Sequence, residues 1–188
     1  MKKKTKLLRK WTKNVPKEIL KEMISEKLYA SYERPSFKDM LAEQLFVISK
    51  RSTCLFNRVA AIIFKNDQIL SIGYNGPSKG DVHCYEVGCS RIVNGHLKKG
   101  AGLCRGSHAE LNAICNAAKN GISINGASMM VSVRPCKICA KQIVNQGIKE
   151  VYYILEYDID KDVKKYLRRL GVKVIHYKSK NIKKWMTK

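Results

Sequence analysis

The chain has 188 residues, of which 45% are hydrophobic, 28% charged and 8% aromatic. A chain of this length buries enough surface for one hydrophobic core, and its composition excludes a disordered or collagen-like protein. The formal net charge is +22, which indicates a partner with negative charge: nucleic acid, an anionic membrane surface or a phosphorylated substrate.

The excess positive charge lies at the two ends of the chain. Residues 1–30 carry a net charge of +7 and residues 161–188 a net charge of +10, which leaves +5 for the residues between them. These ends could bind nucleic acid or another polyanion. Lysines outnumber arginines, however, by 28 to nine, and recognition of bases or of phosphate geometry favours arginine. A solvated, lysine-rich surface is therefore an equal alternative.

The sequence predicts neither a membrane span nor a secretory signal. No stretch approaches 18 apolar residues, and the basic segment 1–10 is not followed by an apolar one. We therefore expect a cytoplasmic protein. Location in an organelle is an alternative, because segment 1–17 contains no acidic residue, and a viral protein is another. The seven cysteines are an odd number in a chain too large to need disulfides, so we expect reduced thiols that are available for metal.

Strands alternate with helices through the middle of the chain. Ser36 can cap the first helix, whose apolar residues recur at helical spacing. In the first half of the chain the pattern predicts a helix at 36–50, a hairpin of two strands at 59–64 and 69–72, a turn at 73–77 and a long loop at 77–106. In the second half it predicts helices at 108–119, 135–146 and 160–170, which alternate with strands at 129–133, 151–155 and 172–176. This order predicts an α/β fold, with a mixed sheet that helices cover on both faces.

Two short motifs at the starts of predicted helices carry the chemistry. His108 and Glu110 belong to an H-A-E motif, and Cys136 and Cys139 belong to a P-C-x-x-C motif that begins 27 residues after the histidine. Cysteines three residues apart lie on one face of the first helical turn, where the helix dipole favours thiolates. One histidine and two thiolates leave one position of a zinc ion open, as in catalytic sites, where bound water ionises near neutral pH. The two motifs together are the signature of zinc deaminases.

Glu110 has a second interpretation. With Ser107 it forms S-x-x-E in front of an apolar run, the capping-box pattern in which the glutamate reaches back to the amide of the cap. A lone C-x-x-C or a lone histidine is likewise more often structural. The two motifs together favour a metal site with His108, Cys136 and Cys139 as ligands and Glu110 as general acid and base.

Further motifs flank the metal residues. They are Arg51-Ser52-Thr53-Cys54, Gly73-Tyr74-Asn75-Gly76-Pro77, His83-Cys84, Gly88-Cys89, Cys104-Arg105-Gly106-Ser107 and Gly126-Ala127. H-A-E with P-C-x-x-C resembles the cytidine deaminase superfamily, and the G-Y-N-G-P turn with the H-C…G-C insertion narrows the resemblance to the deoxycytidylate deaminases of bacteria and phages, which include late-competence proteins. The resemblance runs from residue 37 to 174. It implies a zinc-dependent deaminase domain at 36–177, between a basic N-terminal extension (1–35) and a basic C-terminal tail (178–188).

This resemblance implies a cytidine-deaminase-like fold, a mixed five-stranded sheet flanked by helices on both faces. It also implies hydrolysis of dCMP to dUMP with release of ammonia, and assembly into homo-oligomers. Glu110 would move protons between water, N3 and the departing amine of a cytosine ring. The amide of Ala109 would hold the pyrimidine edge. Asn75 would contact the 3′ hydroxyl of the sugar, unless it serves only as a turn former in the left-handed region.

Two arginines are candidates for binding the phosphate of a nucleotide. Arg58 comes just before the first predicted strand, and Arg105 lies three residues before the metal histidine. Each is equally well explained as a surface arginine. The same strand departs from the resemblance, because Ala60 stands where the family has glycine, and we expect its methyl group to crowd the wall of the substrate pocket.

Cysteines outside the metal motif suggest a second site. The loop at 77–106 is too long for a compact domain unless an interaction fixes its conformation, and a bound metal ion is the simplest such interaction. The resemblance implies a structural zinc. Its candidate ligands are four thiols and two histidines, either of which could replace one thiol: Cys54, Cys84, Cys89, Cys104, His83 and His96. Free, reduced cysteines are the alternative. Cys115, inside an apolar helix, is expected to pack in the core.

Two other functions stay open. A deaminase acting on cytosine or adenine in DNA or RNA would take a flipped base into a similar pocket and hold the strand with the basic ends. The H-C…G-C loop argues against it, because this loop would partly cap the pocket. The second alternative is a non-enzymatic subunit of a ribonucleoprotein that keeps the deaminase fold. The intact H-A-E and P-C-x-x-C motifs argue against this function.

Overall fold

The computed structural model describes residue 16 and residues 34–98, 103–157 and 159–179. The basic ends at 1–30 and 180–188 lie outside the described residues, apart from Pro16. The chain divides into two compact units, residues 1–35 and 36–188, and the elements named below belong to the second. None of the helices within the described ranges is long and apolar enough to cross a membrane.

A five-stranded mixed sheet forms the centre of this unit. The helices are α1 (Phe37–Ser49), α2 (Cys84–Val87), α3 (Ala109–Lys119), α4 (Lys137–Asn145) and α5 (Val163–Arg169). The strands are β1 (Ala60–Lys65), β2 (Gln68–Tyr74), β3 (Gly76–Pro77), β4 (Ile92–Val93), β5 (His96–Leu97), β6 (Gly106–Ser107), β7 (Ser128–Val133), β8 (Glu150–Leu155) and β9 (Lys173–His176). The sheet has the order β2-β1-β7-β8-β9. Strand β1 is antiparallel to both of its neighbours, whereas β7, β8 and β9 run parallel. The predicted mixed sheet is therefore confirmed.

Helices cover both faces of the sheet, as predicted. Helix α1 lies on one face, where Leu41 and Leu45 pack against Ile62 of β1. Helices α3, α4 and α5 bury their apolar residues against the other face, among them Ala113 and Ile143. Strand β1 is consequently buried on both sides over five of its six residues. This is why its sequence reads as a continuous apolar run instead of an alternating one.

The hairpin β1–β2 turns at Asn66 and Asp67, whose φ angles of 51° and 55° fit a two-residue hairpin turn. Strand β2 is longer than predicted. The expected turn at 73–77 is wrong for its first two residues, because Gly73 and Tyr74 continue the ladder with β1. Strand β3 then pairs with β6, which immediately precedes His108. This pairing joins the end of the hairpin to the start of α3.

Three other expectations are corrected. Helix α4 begins at Lys137 instead of residue 135, which makes Cys136 its cap. Helix α5 begins at Val163 instead of residue 160, because Asp160 has a φ angle of 58°, outside the helical region. Cys115 is exposed, since the opposite face of α3 is the one that packs on the sheet. The predicted loop at 77–106 also holds the short elements α2, β4 and β5.

Candidate active site

Three sulfur and nitrogen donors meet where α3 and α4 begin. His108 is the cap of α3, Cys136 is the cap of α4, and Cys139 lies in the first turn of α4. The Nδ1 atom of His108 is 3.4 Å from the Sγ of Cys136 and 3.3 Å from the Sγ of Cys139. All three donor atoms lie within 4.8 Å of one another. The motif residues that the sequence singled out as metal ligands are therefore together.

This donor set fits zinc. A tetrahedral zinc with bonds of about 2.3 Å to sulfur and about 2.0 Å to nitrogen separates these donors by roughly 3.6 Å, close to the observed distances. Within the described ranges, no other histidine, cysteine or carboxylate group joins the three. Three protein ligands leave a coordination position for water or substrate, as catalytic zinc requires.

The pKa values of the two neighbouring thiols are shifted in opposite directions. A hydrogen bond from the Cys139 thiol lowers the pKa of Cys136 to about 4. The same hydrogen bond raises the pKa of Cys139 well above its ordinary value. The hydrogen bond with Cys136 also raises the pKa of His108. Because the ligand form of cysteine is the thiolate, metal binding at this site releases protons.

Glu110 is buried beside the metal ligands, with only 4% of its surface exposed. Burial raises the pKa of its carboxyl group to about 7, a value suited to giving and taking protons near neutral pH. The capping-box interpretation does not fit the helix. Ser107 lies in β6 and His108 is the cap, so Glu110 is the second helical residue and not the third, which a capping box needs.

His108 and Cys136 open onto a cavity of about 110 Å³. His108, Ala109, Glu110 and Asn75 all line it, so the structure brings together the residues that were predicted to act on the pyrimidine and on the sugar. Ala109 is the first residue of α3, where a backbone N–H has no partner within the helix. This N–H is therefore available to a ligand.

The side chain of Asn75 is already engaged with the protein. Its Oδ1 accepts a hydrogen bond from the N–H of Val59 at 2.8 Å, and its Nδ2 donates to the carbonyl of Asn57 at 2.8 Å. One N–H and one lone pair of the amide remain for a ligand. Asn75 is absent from the residues with positive φ in the described ranges, so the left-handed turn interpretation does not hold.

The two predicted phosphate ligands do not line this cavity. Arg58 lines a neighbouring, larger cleft of about 860 Å³. The Nε atom of Arg105 is 3.8 Å from Asp81, and the charge of Arg105 acts on Cys84. Ala60 does not line the cavity either, because its side chain is buried in the core on the α1 side. The expectation that its methyl group crowds the pocket is therefore wrong.

Sequence reasoning missed several residues that line the cavity, among them Arg91, Arg134 and Tyr157. Arg91 follows Cys89 in the long loop, where no periodicity could place it. Arg134 immediately precedes the P-C-x-x-C motif, and this adjacency was the one available signal. Tyr157 follows β8, which runs parallel to β7, so the ends of both strands meet at this edge of the sheet.

The four remaining candidate cysteines line the same cavity: Cys54, Cys84, Cys89 and Cys104. Burial raises the pKa of Cys84, and the nearby thiols of Cys54, Cys104 and Cys89 raise it further. Their sulfur atoms are not among the donor groups that lie within 4.8 Å of one another in the part of the chain that the structure describes. His83 stacks on Tyr85, with ring centroids 5.4 Å apart, and His96 lies in the exposed β4–β5 hairpin. The thiols are thus neighbours without forming a closed metal site.

Known proteins resemble this chain in sequence and in fold. Residues 36–155 match the family described as the cytidine and deoxycytidylate deaminase zinc-binding region. The deoxycytidylate deaminase of Enterobacteria phage T4 is 35% identical, over 74% of this chain and 89% of its own. ComE operon protein 2 of Bacillus subtilis (strain 168) is 34% identical, over 76% of this chain and 71% of its own.

A solved structure of a related protein has a similar fold. The dCMP deaminase from the cyanophage S-TIM5, in complex with dCMP and dUMP, matches with a TM-score of 0.64 and 32% identity, over 77% of this chain and 100% of its own. The predicted cytidine-deaminase-like arrangement, a mixed five-stranded sheet between helices, is thereby confirmed.

Proposed function

This chain belongs to the cytidine and deoxycytidylate deaminase family, and on that premise we propose that it is a zinc-dependent hydrolase that converts dCMP to dUMP and ammonia. The observation that carries this proposal is the group of His108, Cys136 and Cys139 with buried Glu110 beside it, on one cavity. Support comes from relatives named deoxycytidylate deaminase, such as that of phage T4.

Glu110 moves the protons of the reaction. His108, Cys136 and Cys139 would hold a zinc ion, and zinc bound there would lower the pKa of a water molecule toward neutrality. The water oxygen bonds to C4 of the cytosine ring, and the bond from C4 to the amine breaks. Glu110 carries one proton of the water to N3 and the other to the departing amine, which leaves as ammonia. Both transfers need a carboxylate that lies beside the metal and does not ligate it.

Two groups on the cavity wall orient the nucleoside. The N–H of Ala109 donates to the edge of the pyrimidine ring, which fixes the ring relative to Glu110. Asn75 uses its remaining donor and acceptor for the 3′ hydroxyl of the sugar. This contact is expected to work with a 2′-deoxyribose, so dCMP is the preferred substrate over CMP.

Arg91 is our first candidate for the phosphate ligand. It lines the cavity, is partly buried, and lies close enough to His108 and Tyr157 for its charge to act on both. Arg58 and Arg105 stay candidates from the sequence, although neither lines this cavity. A guanidinium group suits a phosphate because it offers several N–H donors in one plane.

We also propose a second, structural zinc in the long loop. The support is the set of four thiols that line the cavity: Cys54, Cys84, Cys89 and Cys104. A small adjustment of the loop would have to bring their sulfur atoms together, as metal binding commonly does. We expect two zinc ions per chain from metal analysis of the purified protein. One zinc per chain, with the motif ligands intact, would contradict this second site.

The substrate class is tested by ammonia release from a panel of dCMP, CMP, deoxycytidine, dCTP and an oligonucleotide containing cytosine. We expect the highest kcat/KM for dCMP. Comparable turnover of deoxycytidine would show that the phosphate is not recognised. Faster turnover of the oligonucleotide would move the protein to the class of deaminases that act on nucleic acid.

A further inference from the structure

Arg134 holds the loop that follows β8. Its side chain is almost fully buried, with 3% of the residue exposed. The Nε–H donates to the carboxylate of Glu156 at 2.9 Å, and Nη1 donates to the carbonyl of Asp160 at 2.9 Å. The Nη2 atom donates to the carbonyls of Tyr157 and Ile159. One guanidinium group therefore binds three backbone carbonyls and one carboxylate in the segment between β8 and α5.

The same loop reaches the metal site through Asp160. The Oδ2 atom of Asp160 accepts a hydrogen bond at 2.9 Å from the backbone N–H of Lys137, the first residue of α4. Amides at the start of a helix have no partner within the helix, so Asp160 caps α4 from outside. The residues on either side of this capped amide include Cys136, a proposed metal ligand.

Tyr157, in the same loop, is part of the cavity wall. Its carbonyl accepts a hydrogen bond from Arg134, which restrains this part of the wall. The arginine thus acts on the site along two routes, through a wall residue and through the cap of the helix that carries both thiols. Arg134 itself retains little capacity for a substrate, because four of its five N–H groups are already used by the loop.

We propose that Arg134 and Asp160 are positioning residues, which fix the start of α4 so that Cys136 and Cys139 are held in the geometry of the metal site. The proposal deepens the proposed function, since it rests on these two cysteines being zinc ligands. Residues that orient metal ligands typically contribute 10- to 100-fold to metal affinity or activity, on the order seen in other zinc proteins.

Asp160 allows a clean test, because its φ angle is positive. Both glycine and asparagine adopt this backbone conformation readily, but only asparagine keeps an oxygen that can accept from Lys137. We therefore compare Asp160→Gly with Asp160→Asn. Asp162→Asn serves as the matched control, since Asp162 binds the exposed Nζ of Lys137 at 3.1 Å and not its amide.

The measurement is zinc affinity, by competition with a chromophoric chelator in the absence of substrate. We expect Asp160→Gly to bind zinc about 10- to 100-fold more weakly than the wild type, and Asp160→Asn and Asp162→Asn to stay close to it. Wild-type affinity in Asp160→Gly, or an equal loss in Asp162→Asn, would overturn the proposal. Because no substrate is present, this result does not depend on dCMP being the substrate.

Arg134 is tested by Arg134→Lys, which keeps the charge but cannot reach four acceptors at once. We expect weaker zinc binding and a higher KM for dCMP. A role in stability alone predicts a lower free energy of unfolding with unchanged zinc affinity and KM, and that result would also overturn the proposal. The Asp160 variants decide the question if Arg134→Lys does not fold.

Discussion

At the scale of single residues, the two arginines on the cavity differ in what they already bind. The N–H donors of Arg134 are hydrogen-bonded to the loop after β8. The structure records neither a side-chain hydrogen bond nor an ion pair for Arg91 within its described ranges. A partly buried cation without a partner is unfavourable, and an anionic group of the substrate would relieve this. The phosphate of dCMP is such a group.

We expect Arg91→Gln to lower kcat/KM for dCMP by about 10- to 100-fold, the loss that follows from one charged hydrogen bond. Turnover of deoxycytidine should change little, because that nucleoside carries no phosphate. Steady-state kinetics with both substrates gives the comparison. Arg58→Gln and Arg105→Gln are the matched variants, and a phosphate-dependent loss in either of them instead of in Arg91→Gln would move the phosphate to the other arginine.

At the scale of elements, the position of α3 on β2 decides where Glu110 lies. The hydroxyl of Ser71 donates to the carbonyl of Ala113 at 2.7 Å, and Nδ2 of Asn112 donates to the carbonyl of Tyr74 at 2.8 Å. Gly73 lets the helix come this close. A Cβ atom at that position would overlap with the carbonyl oxygen of Ala109 and the amide nitrogen of Ala113.

Gly73→Ala should therefore destabilise the fold, since the added methyl group meets backbone that cannot move aside. We expect a loss of about 1–3 kcal/mol in the free energy of unfolding, measured by urea denaturation. Gly76→Ala is the control, because a Cβ there meets only Thr53 Oγ1 at an ordinary 3.8 Å. Equal stability of the two variants would show that α3 does not need this close approach.

Elements with local signals were predictable from sequence, and elements set by distant contacts were not. Ser36 caps α1 through its own side chain, and Gly121 ends α3 with a φ angle of 65°. Both are residues whose chemistry acts within one turn. The start of α5 was predicted three residues too early because Asp160 has a φ angle of 58°, and its side chain binds the amide of Lys137, 23 residues away. A local pattern contains no such contact.

The same division applies to the site. The candidate metal residues and Glu110 could be found because all four lie within two compact motifs, each at the start of a helix. Arg91 could not be found, since its place on the cavity depends on the path of the loop between Cys89 and Cys104. Arg58 and Arg105 were chosen for their nearness in sequence to the strand and the motif, which does not determine where a side chain points.

At the scale of the whole molecule, the positive charge and the catalytic cavity belong to different parts of the chain. Residues 1–30 and 161–188 carry most of the net charge of +22. The matched family region ends at residue 155, and ordered contacts continue to Tyr177, whose hydroxyl donates to Asp39 at 3.0 Å. A cut after this residue therefore keeps a contact that joins β9 to α1.

Removal of residues 1–30 and 178–188 should leave dCMP turnover nearly unchanged and weaken any association with nucleic acid. For the full chain we expect retention on DNA or RNA that falls steeply with salt, because phosphate contacts release counterions. If the full chain is not retained on DNA or RNA at low salt, the positive charge serves only as a solvated surface. Loss of deamination on truncation would show that the ends belong to the fold or to an interface between copies.

The most direct test of the whole account is dCMP turnover by the wild type and by Glu110→Gln, with zinc content measured on the same samples. We expect the wild type to release ammonia from dCMP and form dUMP. Glu110→Gln should bind the same amount of zinc and turn over about 10²- to 10⁴-fold more slowly, the usual contribution of a general acid and base. A variant that keeps wild-type turnover, or that loses zinc together with activity, would contradict the role assigned to Glu110.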